Sequence, residues 1–193
     1  MDQPTMTGRL LVAAPLLQED SFRRSVVFVV DDTSDGTLGV ILNRPLSLAV
    51  DEVVTGWGSY ASEPAVMFSG GPVGPGSGIA LGVAGPGEPP PGWVPLDGLS
   101  PRTGLEGVGV VDLDGPLQTL GGALGAFRVF AGYAGWSEGQ LTEEIDEGAW
   151  YVVDAFADDI FTTAPEGLWS RVLRRQGGDM ALISTFPEDP TMN

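Results

Sequence analysis

The sequence predicts an α+β fold, and three observations carry that expectation. Short apolar runs, each closed by Gly, Pro or Asp, recur along the chain and read as strands. Two of them, Ser25–Val30 and Thr37–Leu42, flank a turn ending in Asp35-Gly36 and predict a β-hairpin with both strands inside a sheet. Two later stretches, from Ser137 and from Pro165, show helical spacing and end at a glycine. With 193 residues, 42 % of them hydrophobic, and a mean hydropathy of +0.12, the chain can bury one substantial core. One compact domain over residues 1–193 is therefore expected, with a loose lead-in over 1–7 and a loose tail from about Pro187.

In order, Arg9–Ala14 is a first strand stopped by Pro15, and the hairpin follows. Ser47–Val54 suggests a short helix, Gly56–Pro64 a loop and Ala65–Phe68 a strand. That strand runs into Ser69-Gly70-Gly71-Pro72, read with the residues up to Gly78 as a tight turn before a strand at Ile79–Val83. The proline-rich stretch around 84–95 reads as an extended loop, Val108–Val111 as a strand and Pro116–Leu124 as a helix opened by proline. Val129–Ala131 reads as a strand end, and Gly132 to Trp136 as a turn with two aromatics. Ser137 and Gln140 have capping-box spacing, which predicts a helix from about Glu138 to Glu147 with Ser137 as its N-cap. Trp150–Val153 resumes as a strand, and Asp158–Phe161 is one helical turn. Pro165–Gln176 is a helix with Leu168, Trp169, Val172 and Leu173 on one face, and Met180–Ser184 is a last strand.

Composition excludes several chemistries. There is no Cys and no His, and all nine basic residues are Arg. Thiol nucleophiles, disulfides, His acid/base catalysis, the usual zinc sites, lysine Schiff bases and the P-loop lysine are all out of reach. A formal charge of −17 opposes direct nucleic-acid binding and anionic membrane surfaces. No apolar run is long enough to span a bilayer and no secretory signal is visible, so a cytoplasmic protein is expected.

Several polar groups have a plain structural reading beside a functional one. Asp31, Thr33 and Asp35 imitate the start of a calcium loop, but Leu42 stands where the bidentate Glu belongs, so a hairpin turn is expected. Asp112 and Asp114 are expected to cap the helix after Pro116, and Glu143, Glu144, Asp146 and Glu147 to form a solvated helix face. Arg171, Arg174 and Arg175 suit a helix C-terminus. Arg23, Arg24 and Arg44 lie at the hairpin ends, where they serve either internal ion pairs or an anion site beside the Ser69-Gly70-Gly71-Pro72 segment. No metal site, cofactor or catalytic residue is assigned from these patterns.

The motifs LLVAAPLLQEDSFRRSVVFVVDD, GTLGVILNRPL, MFSGGPV and GYAGWSEGQLTEEIDEGAW, in this order, resemble the AlgH/YqgE family of bacterial proteins. The resemblance spans about residues 8–175. It implies a single compact α+β domain with a strongly curved, partly barrel-like, mainly antiparallel sheet and flanking helices. It implies no established catalytic activity; one branch carries a transcriptional-regulator label without a recognisable DNA-binding motif. The chain departs from the pattern at VVDDTSDG, where relatives often carry Glu-His before the turn, and at Arg44, where Lys is frequent.

Two classes of function follow. One is a non-enzymatic binding or regulatory protein that recognises a small anionic ligand or a protein partner. The other is a hydrolase-type enzyme using Ser or carboxylate groups, which the lack of His, Lys and Cys disfavours. The candidate ligand surface is the rim where three segments following strands would meet: Asn43, Arg44, Ser69, Gly70, Gly71, Tyr133 and Trp136, with Arg23 alongside. The competing expectation is that the glycines only permit chain reversals and Trp136 fills the core.

Overall fold

A computed structural model describes residues 5–99 and 104–189. The strands and helices are β1 (Arg9–Ala13), β2 (Val26–Thr33), β3 (Gly36–Ile41), β4 (Pro45–Ala49), α1 (Val50–Val53), β5 (Val66–Ser69), β6 (Val73–Ala84), β7 (Trp93–Pro95) and β8 (Val108–Val111). There follow α2 (Leu117–Gly122), β9 (Leu124–Ser137), α3 (Gln140–Asp146), β10 (Trp150–Asp154), α4 (Ala157–Ile160), α5 (Leu168–Gln176) and α6 (Gly178–Ile183). The ten strands make one curled, mainly antiparallel sheet in the order β10-β1-β2-β3-β9-β6-β8-β7, with β5 pairing both β4 and β9. The expected α+β class is what forms.

The expected hairpin forms between β2 and β3, in register from Val27 opposite Ile41 to Thr33 opposite Gly36. Both strands are interior, because β1 flanks β2 and β9 flanks β3. Their apolar residues are therefore buried on both sheet faces, which explains runs without polar alternation.

The main departure from the sequence reading lies at β9. Gly132 to Trp136 is no turn: the chain runs straight through it as part of a 14-residue strand. One edge of β9 carries β6, and the other carries β5 near Phe130 and β3 near Gly135. Gly132 does adopt a turn-like φ of +71°, but the excursion is taken up in the partner strand. Val73 pairs with Tyr133 and Gly78 with Ala131, so residues 74–77 bulge opposite Gly132. For the same reason the segment before Gly78, expected as turn, belongs to β6 from Val73 onward.

Smaller corrections follow from the same tertiary pairing. Residues 45–49 join β4, so only Val50–Val53 of the expected helix is helical. Met180–Ser184, expected as a strand, lies mostly in α6, which packs against α5 rather than on a strand edge. Trp93–Pro95, inside the expected loop, pairs with β8. Asp112 accepts the Asp114 amide at 3.0 Å in a local turn, while Pro116 is the N-cap of α2, so neither Asp caps that helix. Residues 5–7 are tied down rather than loose: the Met6 amide donates to Asp32 at 2.8 Å. At the other end the Arg24 guanidinium, stacked 4.0 Å over Trp169, donates to the Phe186 carbonyl at 2.8 Å. Of the two expected loose ends, residues 1–4 and 190–193 lie outside the described residues.

Among the described residues, one cation lies in the core. Arg128 on β9 is 1 % exposed, and its guanidinium lies 4.3 Å over the Phe68 ring. It donates to the carbonyls of Ile160 at 2.9 Å, Thr162 at 3.0 Å, Glu63 at 2.8 Å and, more weakly, Ser62 at 3.5 Å. Burial pushes its pKa down to about 10, so it stays charged at neutral pH. One side chain thereby joins the central strand to the end of α4 and to the loop before β5. No helix among the described residues is long and apolar enough to cross a membrane.

Candidate functional site

The turn from Asp20 to Arg24, the exit of β3 and the exit of β5 meet at one end of the sheet. Asn43 pins the first two together: its side-chain oxygen accepts the Val26 amide at 3.0 Å, and its nitrogen donates to the Arg24 carbonyl at 2.9 Å. Arg44 then projects across the turn and donates to the Arg23 carbonyl at 2.7 Å. The Arg44 carbonyl accepts the Ser69 amide at 2.8 Å, which brings in the end of β5. Asp20, Ser21, Ile41, Arg44, Ser69, Gly71 and Pro72 line the resulting open pocket of about 160 Å³.

Charge is unusual here. Among the described residues neither Arg23 nor Arg44 forms an ion pair, in a chain that carries 26 acidic residues. Arg44 has its pKa lowered by burial first and by the nearby charge of Arg23 second. Arg44 thus lines the recess beside a second positive charge, and Asp20, the carboxylate in the same lining, pairs with neither arginine, which leaves donors free for an anion. Two larger recesses differ. One of about 730 Å³ at the hairpin tip is lined by Asp32, Glu138, Glu143 and several hydroxyls, which suits no anion. One of about 670 Å³ between α4 and α5 is lined by Asp158 and Asp159 as well as by arginines, two of which are already engaged. There Arg175 grips Asp159 through both nitrogens at 2.6 and 2.7 Å, and Arg171 donates to Ala164 at 2.9 Å and Thr162 at 2.8 Å. Internal anchoring is thus a fuller account of Arg171 and Arg175 than the helix dipole alone.

The eight expected surface residues separate into two groups. Arg44, Ser69 and Gly71 line the pocket, and Arg23 stands beside it. Gly70 is spent on packing: its amide donates to Ala131 at 2.8 Å and its carbonyl accepts from Ile41 at 2.9 Å. A Cβ at Gly70 would strike the Gly132 carbonyl, and one at Gly71 the Tyr133 backbone. These glycines let the chain cross β9 at close range, which is their structural reason. Tyr133 and Trp136 lie elsewhere along β9 and do not line the pocket. Asn43 acts as the brace described above.

Trp136 is 5 % exposed, stacked against Phe22 and edge-on to Trp150. Both indole N–H groups donate to the same Glu144 oxygen, at 2.9 Å from Trp136 and 2.8 Å from Trp150. Glu144 is therefore an anchor of α3 and not part of a solvated face. The helix itself starts at Gln140, with Gly139 at φ +79° as its N-cap and no side-chain cap. Half of the expected capping box survives, since Gln140 accepts the Ser137 amide at 3.1 Å, but the Ser137 hydroxyl only contacts the same Gln oxygen at 3.2 Å. Ser25 is 0 % exposed with an unpartnered hydroxyl, so a hydrolase could not use it as its nucleophile. Asp20 and Ser21 also line the pocket, and the sequence marks them only as a polar loop end just before Arg23.

A curled, mainly antiparallel sheet with flanking helices, an α+β fold, defines the class. The chain belongs to the AlgH-like family, whose model matches residues 10–181. A UPF0301 protein of Thermobifida fusca is 60 % identical, covering 100 % of this chain and 98 % of its own. One from Streptomyces avermitilis is 45 % identical over 98 % of this chain and 96 % of its own. Among solved structures, a Corynebacterium diphtheriae protein superposes with a TM-score of 0.85 at 29 % identity, covering 96 % of this chain and 94 % of that one. AlgH from Pseudomonas aeruginosa, also a UPF0301 protein, gives 0.63 at 26 % identity, covering 97 % and 98 %. The family's function is uncharacterised.

Proposed function

We propose that this chain is a non-enzymatic binding protein whose Arg44 pocket takes a small anion, and that any regulatory role is exercised through that ligand or a protein partner. One observation carries the reading: Arg44 lines a recess without an ion-pair partner, with the charge of Arg23 nearby, in a chain of charge −17. At about 160 Å³ the pocket lies below the range of about 300–1,000 Å³ usual for drug-sized ligands, which favours an ion or a single ionic group. Serine hydroxyls at 21 and 69 add donors that complement a guanidinium. The same charge argues against direct duplex binding and anionic membranes, and the sequence favours a cytoplasmic setting.

A thermal-shift screen of simple oxyanions and carboxylates tests it. Hits seen with the wild type are expected to vanish in a folded Arg44→Ala variant. Hits that persist unchanged there, or no stabilisation by any anion, would overturn the reading. Ser69 and Asp20 in the same pocket give the hydrolase alternative its one support. It requires ester turnover that is lost in Ser69→Ala or Asp20→Asn.

A further inference from the structure

Resting on that reading, we infer that the anion is one that carries its own proton, namely a phosphate-type oxyanion with a P–OH group, and that Asp20 selects it. The pocket is not uniformly basic. Asp20 lines it together with Arg44, yet the two do not pair. An ionised carboxylate only accepts hydrogen bonds and a guanidinium only donates them. The Asp20 carboxylate and the hydroxyls of Ser21 and Ser69 hold no hydrogen-bond partner among the described residues. Arg44 gives one bond to the Arg23 carbonyl at 2.7 Å and has further N–H groups to offer.

A species that bridges such a recess must accept from the arginine side and donate to the aspartate side. Sulfate or a simple carboxylate satisfies Arg44 and the serines but sets acceptor against acceptor, with like charge, at Asp20. Inorganic phosphate near neutral pH keeps at least one proton. It can therefore take bonds from Arg44, Ser21 and Ser69 and give one to Asp20. The carboxylate thus penalises the wrong ligand, which is how specificity is obtained when attraction alone would not discriminate. A phosphate monoester loses its last ionisable proton near pH 6, so the same pocket treats it as a matched ligand only below that pH.

Calorimetric titration of the full chain at fixed ionic strength reads this directly. At pH 7 inorganic phosphate is expected to bind about tenfold more tightly than sulfate, and Asp20→Asn to bring the two within about twofold by strengthening sulfate. Methyl phosphate is expected to weaken between pH 5.5 and 8 relative to inorganic phosphate, and this trend to disappear in Asp20→Asn. Equal affinity for phosphate and sulfate in the wild type overturns the inference while leaving the anion site standing. So does a preference that survives Asp20→Asn, or methyl phosphate that tightens as it loses its proton. Binding of neither ion overturns the site itself and the inference with it.

Discussion

Arg128 and Arg44 are both arginines without a carboxylate partner, and the fold uses them in opposite ways. Arg128 is sealed beneath the sheet, where four carbonyl oxygens from two separate segments meet its fork. Arg44 stands at the sheet's open end, with a single carbonyl holding one of its nitrogens. Both have a lowered pKa and burial is the leading cause for each, but only Arg44 also feels a second arginine. The lesson is that an unpaired guanidinium is not by itself a site. What separates a structural cation from a binding one is how many of its donors the chain has already met.

That contrast can be broken by substitution, beginning with the larger effect. Arg128→Met keeps much of the side-chain volume but leaves the carbonyls of Ile160, Thr162 and Glu63 without their donor. Stripping several buried acceptors should cost about 3 kcal/mol or more in a denaturant titration. Arg128→Lys should recover less than half, because a point ammonium cannot span acceptors arranged around a planar fork. A loss below about 1 kcal/mol for Arg128→Met would mean that water meets those carbonyls and that Arg128 is not the tie.

Arg44→Ala should behave oppositely. It removes one carbonyl contact at a half-exposed side chain and relieves repulsion with Arg23, so its cost should stay under about 1 kcal/mol. A larger loss would place Arg44 with Arg128 as a structural cation and remove the basis for the pocket.

The smallest effect is expected at Ser137→Ala. Capping-box spacing alone would put the loss at about 1 kcal/mol. The hydroxyl accepts no helix amide, and Gln140 keeps its bond to the Ser137 backbone, so a change below about 0.5 kcal/mol is expected from chemical denaturation. A full 1 kcal/mol would show that the hydroxyl caps α3 in solution after all.

Local chemistry was sufficient for the elements whose pattern is complete within a few residues. The hairpin of β2 and β3 needed only two unbroken apolar runs and an Asp-Gly turn signal, because interior strands bury both faces. The apolar stripe of α5 needed only its spacing, and all four of its named residues are buried. The sequence also carried the family resemblance and, through −17 charges without His, Cys or Lys, the narrow range of chemistry open to the chain.

Tertiary structure decided whatever depends on a partner far along the chain. Gly132 reads as a turn on its own, yet β6 bulges opposite it and the strand continues. Glu144 reads as solvated, yet Trp136 and Trp150 aim both indoles at it. Nothing near Arg128 in sequence announces carbonyls from 62–63 and 160–162. Nor does Arg44 announce Asp20, Ser21 and Ser69 around it. Glycine torsion, carboxylate solvation and guanidinium pairing are each settled by which backbone or side chain lies opposite. That neighbour is set by strand pairing over tens of residues, which short-range spacing does not encode.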